Sequence, residues 1–228
     1  MSNSTTGDVL GGAAPEPTTP NPTALLQEAG RLFYHRRWVL GTSGNFSAVV
    51  SRDPLRLVIT SSGADKGALA PEHFMEVDEA GRVVVGRGQP SAETEVHLAV
   101  VRARGAQSVL HTHSVWSTIL SDAYAKEGGL WIEGYEMLKG LSGVPTHEHR
   151  EWLPVIENSQ SWPEVVPQIE EALRRPDVHG FLIRRHGLYT WGASVAEATR
   201  HVEIFEFLLE VMGRTYRGGG FPKPNAAA

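Results

Sequence analysis

Between about Thr23 and Met212 the chain alternates short apolar runs with longer stretches whose apolar residues recur every three to four positions, and no segment repeats another. The short runs read as buried strands and the longer stretches as amphipathic helices. A chain that switches repeatedly between these periods buries both by packing helices on a sheet, so the expected class is α/β. At 228 residues the chain is long enough for one core of ordinary density. Residues 1–22, rich in Ser, Thr, Gly, Ala and Pro, are expected as a disordered tail, residues 23–216 as the folded domain, and residues 217–228 as a second, flexible tail.

Helices are expected at five places. The first starts near Thr23 with Leu25, Leu26, Ala29, Leu32 and Phe33 on one face. The second begins just after Pro90-Ser91 and runs to about Arg104, with Val96, Ala99, Val100 and Ala103 inward; the third spans about 115–125. Ser161-Trp162-Pro163-Glu164 combines a capping serine, a proline at the helix start and a glutamate that completes the box, ahead of Val165, Val166, Ile169, Ala172 and Leu173. Ser194 and Glu197 form the next such box. It opens a long helix with Val195, Ala198, Val202, Phe205, Leu209 and Met212 inward, and Arg200, Glu203, Glu206 and Glu210 on a solvated or subunit-facing side. Strands are expected around 45–50, 55–60 and 82–85, in the run ending at His113, and around 180–184 and 188–191.

Charge and composition exclude several functions. A formal charge of −5 gives no electrostatic case for nucleic acid or an anionic membrane as partner. No apolar run approaches bilayer-spanning length, and the N-terminus lacks the basic-then-apolar pattern of a secretory signal. With no cysteine there is neither a disulfide nor a thiolate zinc site, which leaves His, Asp and Glu as metal donors. The expected location is the cytoplasm.

The donors that stand out are His111 and His113. They follow Val109-Leu110 in a strand-like run, where side chains two apart point the same way. His186 ends a second apolar run and precedes Gly187. Three imidazoles suit a catalytic Zn²⁺ with one open coordination position. A second His-x-His pair, His147 and His149, lies in a polar, proline-marked stretch and reads as surface loop, with metal binding as the alternative.

Two Gly/Ser-rich segments, Gly41 to Ser47 and Thr60 to Gly67, offer backbone amides, hydroxyls and Lys66 to an anion. Pro90-Ser91-Ala92-Glu93 adds donors at a helix N-terminus. Each alone reads as a turn; together, beside a candidate metal strand, they point to a phosphorylated substrate. Two glutamates are placed for acid–base work. Glu93 sits in a helix's first turn, where it also complements the macrodipole. Glu136, in Ile132 to Gly140, is either exposed or the base that removes a proton beside a metal-bound carbonyl.

Gly44-Asn45-Phe46-Ser47, Thr60-Ser61-Ser62-Gly63, Pro90-Ser91-Ala92-Glu93, His111-Thr112-His113 and Arg185-His186-Gly187 occur in the order found in the class II aldolase/adducin family, which this chain resembles from about Ala24 to Met212. The segments Glu133 to Gly140 and Arg184 to Gly192 resemble a branch that dehydrates a ketose phosphate in methionine salvage. The resemblance implies a three-layer α/β/α domain with a mixed, largely antiparallel sheet. It also implies one Zn²⁺ per subunit on His111, His113 and His186, and phosphate contacts near Asn45, Ser62, Gly63 and Ser91, to which the residue reading adds Lys66. In the family's aldolases the catalytic carboxylate matches Glu93; in its dehydratases the acid/base matches Glu136. This chain has both, so the role of Glu93 stays open. The resemblance further implies a homotetramer acting on a small phosphorylated ketose, with active sites near subunit contacts. The alternatives are an aldolase or 4-epimerase on a related ketose phosphate, and an adducin-like interaction module without catalysis.

Overall fold

In a computed structural model that describes residues 21–215, the first helix α1 (Pro22–His35) opens on Asn21, whose side chain accepts the Thr23 N–H at 3.0 Å. Apart from Asn21 and Pro22, the expected tails lie outside the described residues. The strands β1 (Asn45–Arg52), β2 (Leu55–Thr60), β3 (Phe74–Asp78) and β4 (Val83–Val85) precede α2 (Thr94–Arg104). β5 (Ser108–Thr112), α3 (Val115–Ala123), β6 (Gly129–Glu133) and β7 (Arg150–Ile156) follow. The described chain ends with α4 (Trp162–Ala172), β8 (Gly180–Ile183), β9 (Gly187–Gly192) and α5 (Val195–Thr215).

The strands form one sheet in the order β4-β3-β2-β1-β5-β9-β8-β7-β6. All neighbours are antiparallel except β7 and β8. The α/β class with a mixed, largely antiparallel sheet is therefore borne out. Alternation sorts the side chains. Val109, Phe181, Ile183, Tyr189 and Trp191 face one way and pack with Val96 and Val100 of α2 and Val165 and Ile169 of α4. Phe46, Ala48 and Leu110 face the other way, under α1 and the first turns of α5. Leu182 and Leu188 meet Leu120 of α3 and Phe205, Leu208 and Leu209 of α5 on that same side.

Several details differ from the expectations. β3 and β7 are not among the expected strands. Ala103 is exposed, because α2 buries Leu98 and Val101 instead. Ser161 precedes α4 but makes no capping bond through its side chain. Glu206 is not on an outer face: it is 2% exposed, with Oε1 accepting from the Thr112 hydroxyl at 2.7 Å. The helical period groups it with Glu203 and Glu210, but α5 is covered on that side by β5, and burial pushes the Glu206 carboxyl up to about 7.

Close approach of strands brings the candidate ligands together. Asn45 pairs with His111, and Thr112 with Leu188, so the start of β1, the end of β5 and the start of β9 share one end of the sheet. A Cβ on Gly187 would collide with the Thr112 carbonyl oxygen. Gly187→Ala is expected to wedge β9 from β5, costing about 1–3 kcal/mol as overpacking does. Urea unfolding of the metal-free protein measures this; an unchanged midpoint contradicts the tight packing described.

Candidate metal centre and anion cavity

His111 is fully buried on the α2 side of β5, its ring stacked on Tyr189 with centroids 3.9 Å apart. Its Nδ1 donates to the Leu188 carbonyl at 2.9 Å, which fixes the tautomer and leaves a lone pair on Nε2. That Nε2 lies 2.7 Å from His113 Nε2 and 3.3 Å from His186 Nε2. His113 stands one residue beyond β5, where its backbone N–H donates to the Trp38 carbonyl at 2.7 Å. The three ring centroids are separated by 4.5 to 5.0 Å.

Nitrogen lone pairs this close repel unless a proton or cation lies among them. Burial disfavours the proton: it holds His111 well below the usual imidazole range and His113 at about 4. Neutral, converging nitrogens are what a divalent cation requires. The residues present fit such an ion.

Glu93 caps the N-terminus of α2 in sequence, yet its carboxylate turns away from the helix amides and into the cluster. Oε1 is 3.0 Å from His186 Nε2, and Oε2 is 3.5 Å from His111 Nε2. Tyr189 donates its hydroxyl to Oε2 at 2.8 Å, and the Asn45 amide donates to the same oxygen. Burial opposes ionisation here, but His111, His186 and Asn45 outweigh it and hold the carboxyl well below the usual range.

A chain of buried side chains holds this arrangement from beneath. His97, buried in α2, bonds Ser47 Oγ through Nδ1 at 2.7 Å and donates from Nε2 to Asn45 Oδ1. Asn45 then spends its amide hydrogens on Glu93 and on Ser91 Oγ, the latter at 3.0 Å. Neither His97 nor Tyr189 is singled out in the sequence analysis. The available signal was Asn45 and Ser47, two polar residues on one face of a buried strand, which need a partner opposite.

Next to the imidazoles is a cavity of about 200 Å³. Asn45, Ser62, Gly63, Lys66 and Ser91 line it, with Glu93 and His113 also on its wall. Lys66 is 1% exposed and donates to the Thr42 carbonyl at 2.9 Å and the Ala64 carbonyl at 2.6 Å, so it ties the two glycine-rich turns together. Two of its three donors are used, leaving one. Burial lowers its pKa to about 8, against the opposing pull of Asp65 and Glu93.

Glu136 is not brought to this group. It opens a 3-10 turn, Glu136–Gly140, with its side chain 72% exposed and paired to Lys139 at 2.7 Å and His147 at 3.7 Å. His149 is half-buried immediately before β7 rather than on an open loop. On α5, Phe205, Leu208 and Leu209 are buried within the domain and Phe207 is exposed.

The family model for the class II aldolase and adducin N-terminal domain matches residues 24–212. A methylthioribulose-1-phosphate dehydratase from Methylococcus capsulatus is 48% identical over 195 residues, covering 85% of this chain and 93% of that protein. One from Marinobacter nauticus is 42% identical over 194 residues, covering 84% and 92%. Among solved structures, an L-fuculose-1-phosphate aldolase from Thermus thermophilus superposes with a TM-score of 0.66 at 24% identity, covering 84% of this chain and 92% of that one, a likeness of fold.

Burial also holds His97, at about 4, below its ordinary 6.5. A group neutral in the fold and protonated in the unfolded chain draws stability away as pH falls below 6.5, and the loss is complete near 4. At roughly 1.4 kcal/mol per pH unit, the His97 contribution is on the order of 3 kcal/mol. Denaturant unfolding of metal-free protein at pH 7 and pH 4.5 is expected to show this loss, with a shallower dependence in His97→Gln. Equal dependence in the two proteins contradicts the assignment.

Proposed function

The chain belongs to the class II aldolase and adducin family, and on that premise we propose that it removes water from 5-methylthioribulose 1-phosphate, giving 2,3-diketo-5-methylthiopentyl 1-phosphate in methionine salvage. One adjacency supports the reading above all: the imidazole cluster and the Glu93 carboxylate border a cavity lined by hydroxyls, glycine turns and a lysine. A ketose 1-phosphate has its ketone one carbon from its phosphate ester, so it needs both environments side by side. The named dehydratases at 42–48% identity agree with it.

A divalent cation held by His111, His113 and His186 supplies Lewis-acid polarisation of the ketone when bound. We take it to be Zn²⁺, one per catalytic site, because three neutral nitrogens and an open position are that ion's ordinary catalytic set. Ser62, Gly63, Ser91 and the remaining Lys66 donor hold the phosphate, while Asn45 positions Ser91 and Glu93. Glu136 removes the proton at carbon 3 and returns one to the departing hydroxyl at carbon 4. The enol left behind tautomerises to the diketone. Glu93, already ionised, accepts a hydrogen bond from a substrate hydroxyl and keeps it oriented.

In a single copy Glu136 stands in solvent, so the proposal includes a homotetramer in which a neighbouring copy presents Glu136 to the cavity. Exposed Val115, Ile119 and Phe207 are side chains that such contacts would cover. A cytoplasmic location completes the reading; no helix among the described residues is long and apolar enough to cross a membrane. The position of Glu93, 3.0 Å from His186, favours one second reading: an aldolase or 4-epimerase in which Glu93 is the base. The integrity of the whole constellation speaks against a non-catalytic module.

Product analysis separates these. Dehydration yields the diketone with loss of one water, aldol cleavage yields two fragments, and epimerisation preserves mass. Glu136→Gln is expected to retain metal and lose about 10²–10⁴ in kcat. Normal turnover by Glu136→Gln together with an inactive Glu93→Gln would transfer the base role to Glu93. Subunit mixing tests the shared site. Co-refolding inactive Glu136→Gln with inactive His113→Ala should restore about one site in four, because each working site then combines intact parts of two copies in a closed ring. No recovery in verified mixed oligomers would confine both residues' roles to one subunit.

A further inference from the structure

A second group of metal-type donors lies apart from the site above. His149 directly precedes β7, Glu151 lies within it, and His179 directly precedes β8. One donor atom from each lies within 4.8 Å of the other two. Glu151 Oε2 is 2.8 Å from His149 Nε2 and 3.0 Å from His179 Nδ1. The carboxylate is fully buried, whereas the rings of His149 and His179 are 22% and 12% exposed, which leaves a path from solvent.

Two further polar atoms, one on His179 and one on Glu151, are engaged as in a ligand set. His179 Nε2 donates to the Ser142 carbonyl at 2.8 Å, which orients the ring and directs Nδ1 at the cluster. Glu151 Oε1 accepts the His179 backbone N–H at 3.0 Å, which directs Oε2 at the same point. Of the charged groups nearby, Asp177 is paired to Arg175 at 3.0 Å. Arg104 opposes, but its guanidinium is committed to carbonyl oxygens including those of Arg175 and Pro176, both at 2.8 Å.

We infer that His149, Glu151 and His179 form a second, structural site for a divalent cation of the zinc type. Two imidazoles and one carboxylate suit such an ion, with water completing its shell. The location gives it work. β7 and β8 are the one parallel pair of neighbours among the described strands, and only Val155↔Leu182 and Ile156↔Ile183 are in register. By contrast, β5 and β9, like β6 and β7, pair at five positions. Glu151 and His179 stand at the ends of β7 and β8 where that ladder has run out. A cation there clips the β6–β7 hairpin to the rest of the sheet.

The test counts metal and needs no catalysis, so its outcome is independent of the proposed reaction. The full chain is loaded with Zn²⁺, desalted, and assayed for zinc per chain by plasma mass spectrometry. His149→Gln, which leaves His111, His113 and His186 intact, is expected to hold one zinc fewer than the unaltered protein. In His111→Ala/His113→Ala protein stripped of metal, Zn²⁺ at about 100-fold over its dissociation constant should raise Tm by about 5–10 °C. Adding His149→Gln should abolish that rise. Equal zinc counts with and without His149→Gln, or a Tm rise that survives the substitution, would overturn the inference.

Discussion

Everything at this end of the sheet depends on keeping the rings of His111 and His113 uncharged while their nitrogens face each other at 2.7 Å. His111 carries the strictest form of this demand. It has no exposure, its outer nitrogen is committed to the Leu188 carbonyl, and its inner nitrogen is 2.7 Å from another imidazole. Such a site is costly unless the polar groups around it find partners. The chain from Ser47 through His97 and Asn45 to Glu93 supplies them, with Tyr189 closing it from β9, while His186 Nδ1 is buried without one. Each member supports the next: a gap at any point leaves a buried donor or acceptor alone and loosens the Glu93 carboxylate beside the imidazoles.

This dependence explains which parts were legible in the sequence. The histidine pair could be read because strand periodicity fixes direction, and its apolar flank marks the strand. The two glycine-rich turns could be read because their composition offers amides and hydroxyls whatever the tertiary fold. What escaped notice needed partners distant in sequence. His97 has neighbours Val96 and Leu98 that are also buried, so period alone gives it no distinction; only Ser47 and Asn45 across the interface do. Glu206 falls in line with Glu203 and Glu210 along the helix, yet Thr112 takes it inside. β7 escaped because Glu151, buried in its second position, and Pro154 both interrupt the expected apolar alternation.

Glu136 shows a different limit. Its segment could be singled out in the sequence, and the fold of one chain still leaves it paired to Lys139 in solvent. Local pattern and single-chain packing do not reach a group whose proposed role needs a second copy. The same reasoning bears on α5. Its broad apolar girth is mostly consumed by its own domain, where Phe205, Leu208 and Leu209 are buried, so girth alone does not signal an interface.

β5 itself has an evolutionary corollary. Val109 and His111 face α2 and the imidazole cluster, whereas Leu110 and Thr112 face the opposite layer, Thr112 bonding to Glu206. A single-residue deletion between Ala106 and Leu110 would exchange the two sets, sending both histidines into hydrocarbon and Thr112 toward the place they leave. No compensating substitution repairs such an exchange one step at a time. The strand can therefore drift in composition but not in length, and changes of length are left to its flanks, such as the open left-handed turn at Gly105 where nothing crowds an added side chain.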